Sequence, residues 1–168
     1  LRGDLWNPEH RPPVVRTPPA VPTHSGAGRW FQASGKTDWE TPKAFFDQVN
    51  EHFCFETDVC ASAQNTKCPK FFSREADGLK QTWRGVCWCN PPYGRGIDLW
   101  LHKAWQSAKN GATVVCLVPA NTGTGWWHEH VVARATQVFF VRGKIKFVGA
   151  TQGAPFDSAL VVFGEKCK

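Results

Sequence analysis

The sequence lacks methionine altogether, so no initiator is present, and residue 1 is not expected to be the natural start. It also lacks any CxxC spacing. The seven cysteines, Cys54, Cys60, Cys68, Cys87, Cys89, Cys116 and Cys167, form an odd set, which fits neither a complete disulfide framework nor a zinc ribbon. A reducing compartment is the simpler expectation, with Cys54, Cys87, Cys89 and Cys116 acting as small buried hydrophobes in apolar runs. A metal site built on His128 and His130 is not expected. Long apolar runs are missing too. Val114 to Val118 and Val138 to Val141 are far too short to span a bilayer, and no basic-then-apolar signal opens the chain. A cytoplasmic protein without membrane contact is expected.

Acidic residues are the scarcer charge. Against 20 Lys and Arg stand 14 Asp and Glu, a formal charge of +6 that favours polyanionic partners, nucleic acid first among them. With 168 residues the chain has room for one domain with a real core. Six of the 12 prolines fall before residue 23, beside Arg2, Arg11 and Arg16 and with little apolar periodicity. That composition predicts a tail over residues 1–36, followed by a single domain over 37–168.

From Trp39 onward helical and strand patterns alternate. Thr41 before Pro42 reads as an N-cap with proline in the first turn, and Ala44, Phe45, Val49 and His52 continue a helical face. A short strand is predicted over Phe53 to Val59, an irregular polar stretch over Cys60 to Gln81, and a strand over Val86 to Cys89. Ile97 to Asn110 has apolar residues at helical spacing, stopped by Gly111. Thr113 to Val118 is unbroken and β-branched, as a central parallel strand requires. A helix over Gly125 to Ala135 and strands over Gln137 to Val141, Lys144 to Val148 and Ala159 to Phe163 complete the pattern. Together these predict an α/β, Rossmann-like fold, mostly parallel, closing with an antiparallel hairpin, and ligands outside the carboxyl ends of the strands.

Asn90-Pro91-Pro92-Tyr93 directly follows the strand Val86 to Cys89, at such a carboxyl end. Two consecutive prolines stiffen the backbone and remove two donors. The Asn90 side-chain oxygen and the Pro91 carbonyl can then both accept hydrogen bonds from one exocyclic amine, with Tyr93 stacking on the ring that carries it. A rigid polar turn would use similar dipeptides, but this tetrapeptide arises by chance about once in a thousand chains of this length. The four residues are the expected catalytic set.

Taken in order, Trp39-x-Thr41-Pro42, Asp58-Val59-Cys60-Ala61, Asp77-Gly78-Leu79 with Trp83, Asn90-Pro91-Pro92-Tyr93 and Leu117-Val118-Pro119-Ala120 resemble the phage-type, Dam-like DNA N6-adenine methyltransferases. Arg142-Gly143-Lys144-Ile145-Lys146-Phe147 and Gly153-Ala154-Pro155-Phe156 extend the likeness, which covers about residues 37 to 164. The resemblance implies a phage- or prophage-encoded enzyme that transfers a methyl group from S-adenosylmethionine to the N6 amine of a flipped adenine in double-stranded DNA. It implies that Asn90 and Pro91 hold that amine and that Tyr93 stacks on the base. Thr41 and Pro42 would lie beside the amino-acid end of the cofactor, with Asp58, Cys60 and Ala61 near it and Asp77 at its adenine. One departure stands out: no glycine-rich turn follows Asp58, and only 18 residues separate Asp58 from Asp77. Either the cofactor half is abbreviated, or Asp58 belongs one element away.

Flipping a base costs a few kcal/mol, which phosphate contacts must offset. Arg95, Arg142, Lys144 and Lys146 are the expected suppliers, although charges on a terminal hairpin also serve as a solvated edge. Trp126 and Trp127 either wall the cleft or pack, and packing is the plainer reading. The same tetrapeptide would also suit methyl transfer to RNA or to a protein glutamine, and an inactive DNA-binding module of this fold would share the pattern.

Overall fold

The computed structural model describes residues 39–165, so the expected tail over 1–36 lies outside the described residues. Helix α1 (Lys43–Phe53) buries Phe45, Phe46, Val49 and Phe53 on one face. Pro42, not Thr41, occupies its cap position, and no side chain caps it. Pro42 itself is extended at φ −63° and ψ 137°, its carbonyl accepts the first helical N–H from Phe46 at 3.0 Å, and the Thr41 hydroxyl makes no cap bond. The predicted strand from Phe53 to Val59 shrinks to β1 (Thr57–Asp58). Phe53 is claimed by the helix face, and Cys54 ends the helix in the left-handed region at φ 56°.

The polar stretch that follows contains a second two-residue strand, β2 (Lys70–Phe71), and a single 3-10 turn over Gly78–Lys80. Strand β3 (Val86–Cys89) and helix α2 (Ile97–Lys109) lie where the pattern predicts them, and Gly111, at φ 90°, takes the left-handed conformation just past the helix end. Strand β4 (Thr113–Pro119) is buried at every position, as a strand covered on both faces must be. Strands β5 (Gln137–Phe140) and β6 (Ser158–Phe163) close the sheet.

The result is an α/β fold on one mixed six-stranded sheet, in the order β2-β1-β3-β4-β6-β5. The first four strands are mutually parallel, whereas β6 runs antiparallel to both β4 and β5. Phe46 of α1 meets Trp88 of β3 edge to face at 5.4 Å, and α2 packs on β4.

Two predicted elements come out differently. Lys144 to Val148 is not a strand, because Gly143 (φ 80°) and Gly149 (φ 74°) turn the chain out of the sheet on either side. Its alternating pattern is real but has another cause. Ile145 and Phe147 point into the core, each 1% exposed, while Lys144, Lys146 and Val148 face outward. The predicted helix over Gly125 to Ala135 widens into a π-helical run over Trp127–Val132, where the Ala133 N–H donates back five residues to the His128 carbonyl at 3.1 Å.

Just past that run Arg134 ties the region to α2. Its guanidinium lies 4.4 Å from the Trp105 ring centroid, and one of its nitrogens is 3.1 Å from His102 Nδ1 and 3.2 Å from His130 Nδ1. A guanidinium only donates, so both ring nitrogens must be unprotonated acceptors. Burial and the neighbouring Arg134 charge hold His130 below the ordinary histidine range. The unfolded chain therefore binds this proton at higher pH than the folded chain does. Stability from the cluster is complete above the ordinary value of 6.5 and is lost as the pH falls below it. Denaturant titrations from pH about 7.5 to about 5 should show a larger loss of stability for the native chain than for His130→Gln.

Candidate active site

Because β1 and β3 run parallel, with Asp58 in register with Trp88, their carboxyl ends open on the same edge of the sheet. A cavity of about 330 Å³ lies there. Trp39, Glu40 and Thr41 line it from the segment ahead of α1, Asp58 and Cys60 from the end of β1, and Asn65 and Lys67 from the loop beyond. Trp88, Asn90, Pro91 and Pro92 complete the wall from β3 and its corner, with Val148 at the mouth.

One hydrogen bond orients the corner. Asn90 Nδ2 donates to the Trp39 carbonyl at 2.5 Å, and a carbonyl can only accept, so the amide nitrogen must face it. The side-chain oxygen is thereby turned away, buried, and has no hydrogen-bond partner among the described residues. Leaving such an acceptor unmatched costs about 1–3 kcal/mol. Thr41, 2% exposed, presents a second buried oxygen without a partner. Both atoms belong to cavity residues, so the wall is stocked with hydrogen-bonding capacity that the chain itself does not use.

Asp58 is 3% exposed. Its carboxylate accepts from the backbone N–H groups of Cys60 at 3.3 Å and Lys67 at 3.1 Å. Burial nevertheless pushes its pKa from 3.8 up to about 6, because the two amides and the Lys67 charge only partly replace the lost water. Lys67 Nζ is held by Glu40 Oε1 at 3.0 Å.

Tyr93 does not line this cavity. Its ring is buried edge-on against Phe156 at 5.5 Å and Phe147 at 6.2 Å, and its hydroxyl donates to the Leu117 carbonyl at 3.3 Å. In this arrangement its ring is enclosed by these neighbours, with 7% of the residue exposed. Trp39 meets the same two phenylalanines at 5.3 Å each, so four aromatic rings bind the corner, the segment before α1 and the loop after β5 into one unit.

A model of the family described as DNA N-6-adenine-methyltransferase (Dam) matches residues 31–163 of the chain. The chain belongs to the DNA N-6-adenine-methyltransferase (Dam) family. It is 32% identical over 127 residues to the DNA N-6-adenine-methyltransferase of Haemophilus phage HP1 (strain HP1c1), a match covering 74% of this chain and 73% of that protein. It is 30% identical over 111 residues to the DNA N-6-adenine-methyltransferase of Escherichia phage T1, covering 61% of this chain and 46% of that protein.

Of the residues singled out in the sequence of this Dam-family chain, the cavity gathers Thr41, Asp58, Cys60, Asn90, Pro91 and Pro92. Pro42, Ala61, Asp77 and Tyr93 are not among its lining residues. Asp77 sits in the left-handed region at φ 52° and pairs with Lys80 at 3.0 Å, while the Ala61 N–H donates to the Phe72 carbonyl. Arg95, Arg142, Lys144 and Lys146 are exposed, and Lys144 reaches Asp157 at 2.7 Å. Sequence reading missed Glu40, Asn65, Lys67, Trp88 and Val148. Glu40 and Lys67 meet across 27 positions, a pairing that no local pattern announces.

The Asp77-Gly78-Leu79 stretch with Trp83 has a structural explanation. Trp83 Nε1 donates to the Gly78 carbonyl at 2.7 Å, and any Cβ at position 78 would overlap the Val59 carbonyl oxygen. Gly78→Ala should cost about 1–3 kcal/mol in a denaturant titration, the usual result of overpacking against backbone. For Asp58 the pH dependence runs opposite to that of an ion-paired acid. Its folded pKa lies above the unfolded one, so its contribution is greatest below about pH 4 and is lost as the pH rises through about 6. Against Asp58→Asn, the native chain should lose roughly 2–3 kcal/mol of relative stability between those limits, as measured by denaturation at each pH.

Proposed function

We propose that the chain is a DNA adenine-N6 methyltransferase that takes its methyl group from S-adenosylmethionine and acts on an adenine rotated out of double-stranded DNA. The observation that carries this reading is the buried Asn90 oxygen, held on a rigid proline corner in a cavity wall and left without a donor of its own. An exocyclic amine has two protons to give. Asn90 Oδ1 would accept one and the Pro91 carbonyl the other, drawing the nitrogen toward a tetrahedral geometry with its lone pair exposed. Family membership points to the same chemistry.

The remaining walls suit S-adenosylmethionine. The Thr41 hydroxyl and the Asp58 carboxylate, both in the cavity wall, would meet an ammonium or sugar hydroxyls. When bound, the cofactor supplies an electrophilic methyl group. The chain's own part is to position and to polarise: it dries the amine, holds it against the two oxygens, and lets the displaced proton leave to solvent. No cysteine need form a covalent bond. Tyr93 acts as a positioning residue, propping the corner through Leu117 and the two phenylalanines. Arg95, Arg142, Lys144 and Lys146 would contact phosphates around the cavity. The parallel half of the sheet, with the antiparallel β6 set beside β4, is in keeping with an abbreviated Rossmann-like methyltransferase fold.

Mass spectrometry of nucleosides from duplex DNA incubated with chain and cofactor should reveal N6-methyladenine. N4-methylcytosine in its place, or methylation only of RNA or a glutamine peptide in parallel reactions, would overturn the assignment. Asn90→Ala should lower the rate of methyl transfer by roughly 10²- to 10³-fold while calorimetry still detects cofactor binding.

A further inference from the structure

The charge of the cavity wall runs against that of the chain. Lysine and arginine outnumber aspartate and glutamate 20 to 14 in the whole sequence. Among the described residues that line the cavity, however, two carry carboxylates, Glu40 and Asp58, and one carries an ammonium, Lys67. Once Asp58 is ionised, which its environment delays until about pH 6, the wall holds a surplus of one negative charge. Such a wall repels a phosphate-bearing occupant and attracts a cationic one.

Glu40 decides that balance. The backbone N–H of Lys67 donates to the Asp58 carboxylate at 3.1 Å, and the Lys67 charge acts on the same group. Without Glu40, one ammonium would offset one carboxylate and the wall would be neutral. Instead Lys67 Nζ is held by Glu40 Oε1 at 3.0 Å, with the lysine side chain only 13% exposed and so shielded from screening salt. Glu40 is itself anchored by backbone bonds at two successive carbonyls. The Trp39 carbonyl accepts from the Asn90 amide, and the Glu40 carbonyl accepts the Val148 N–H at 3.0 Å.

A charge of this kind has a use. S-adenosylmethionine bears an ammonium, a carboxylate and a sulfonium, and is a net cation. Loss of the methyl group leaves a neutral thioether, so S-adenosylhomocysteine has no net charge and otherwise almost the same shape. Electrostatics is therefore the handle by which a wall can tell fresh cofactor from spent.

We infer that Glu40 is a specificity-determining residue: by occupying Lys67 it keeps one carboxylate charge of the wall uncompensated, and that charge favours the cationic donor over its neutral product. The inference rests on the reading of S-adenosylmethionine as the cofactor and adds to it the residue that separates donor from product.

The test is calorimetric titration of the full chain with S-adenosylmethionine and with S-adenosylhomocysteine, at pH about 7.5 and low salt, where screening is weak. The quantity read is the ratio of the two dissociation constants, because a general loss of fit moves both and leaves their ratio alone. Glu40→Gln should shift the ratio about fivefold to tenfold against S-adenosylmethionine, the effect of one charge a few Å away in a partly screened site. Lys67→Met, which enlarges the negative surplus, should shift it the other way, and it decides alone if Glu40→Gln does not fold. An unchanged ratio in Glu40→Gln, or a Lys67→Met ratio that is unchanged or moves against S-adenosylmethionine, overturns the inference. The native chain keeps the two readings apart. If it binds neither compound, the proposed cofactor falls and this inference with it; native binding of both beside an indifferent Glu40→Gln overturns the charge selection alone.

Discussion

The hydrogen bond from the Asn90 amide to the Trp39 carbonyl decides which way the corner faces, and much of the molecule is arranged around keeping its two ends together. Trp39 is gripped by Phe147 and Phe156, which also enclose Tyr93, only three residues beyond Asn90. A hydrogen bond alone contributes about 1 kcal/mol, too little to orient an amide reliably against water. Burial of four rings is worth several times that, so packing holds the polar contact in place. The aromatic cluster therefore fixes where the amide oxygen points without touching any ligand.

How much of this was legible in the sequence depends on the range over which each feature is encoded. Strand β3, helix α2 and strand β4 were readable almost to the residue, because each is written in its own hydrophobic period and punctuated by Asn90 or Gly111. The corner was readable because two prolines constrain the backbone locally. What was misread depends on distant partners. Lys144 to Val148 has the alternation of a strand but spends it on a loop packed under Trp39. The strand expected from Phe53 lost its first residue to a helix face, and the helix begins one residue later than Thr41 as its cap would require, with Pro42 at the cap position. The packing of Phe147 and Phe156 on Tyr93, more than fifty positions away, shows the limit most clearly, since no local pattern announces it. Glu40 with Lys67 lay beyond any pattern for the same reason.

The cavity also shows where the fold gives up stability. Among the described residues four buried side-chain oxygens have no partner, and Thr41 Oγ1 and Asn90 Oδ1, two of the four, belong to its wall. Asp58 adds a carboxylate whose ionisation is opposed by its surroundings. A core chosen for stability alone would have filled these positions with apolar groups or supplied them with partners. Keeping them open and close together is what a surface does when its hydrogen bonds are meant for something else.

The walls come from four separated stretches, 39–41, 58–67, 88–92 and 148, which meet only when the sheet is assembled. No fragment of the chain carries the site, so an occupant has affinity for the native state and none for an unfolded one. Each tenfold excess of such an occupant over its dissociation constant then adds about 1.4 kcal/mol to the resistance of the whole domain to heat. A thermal-shift screen of small molecules thus reports binding to the assembled domain, with no need to know the DNA sequence that the chain acts on.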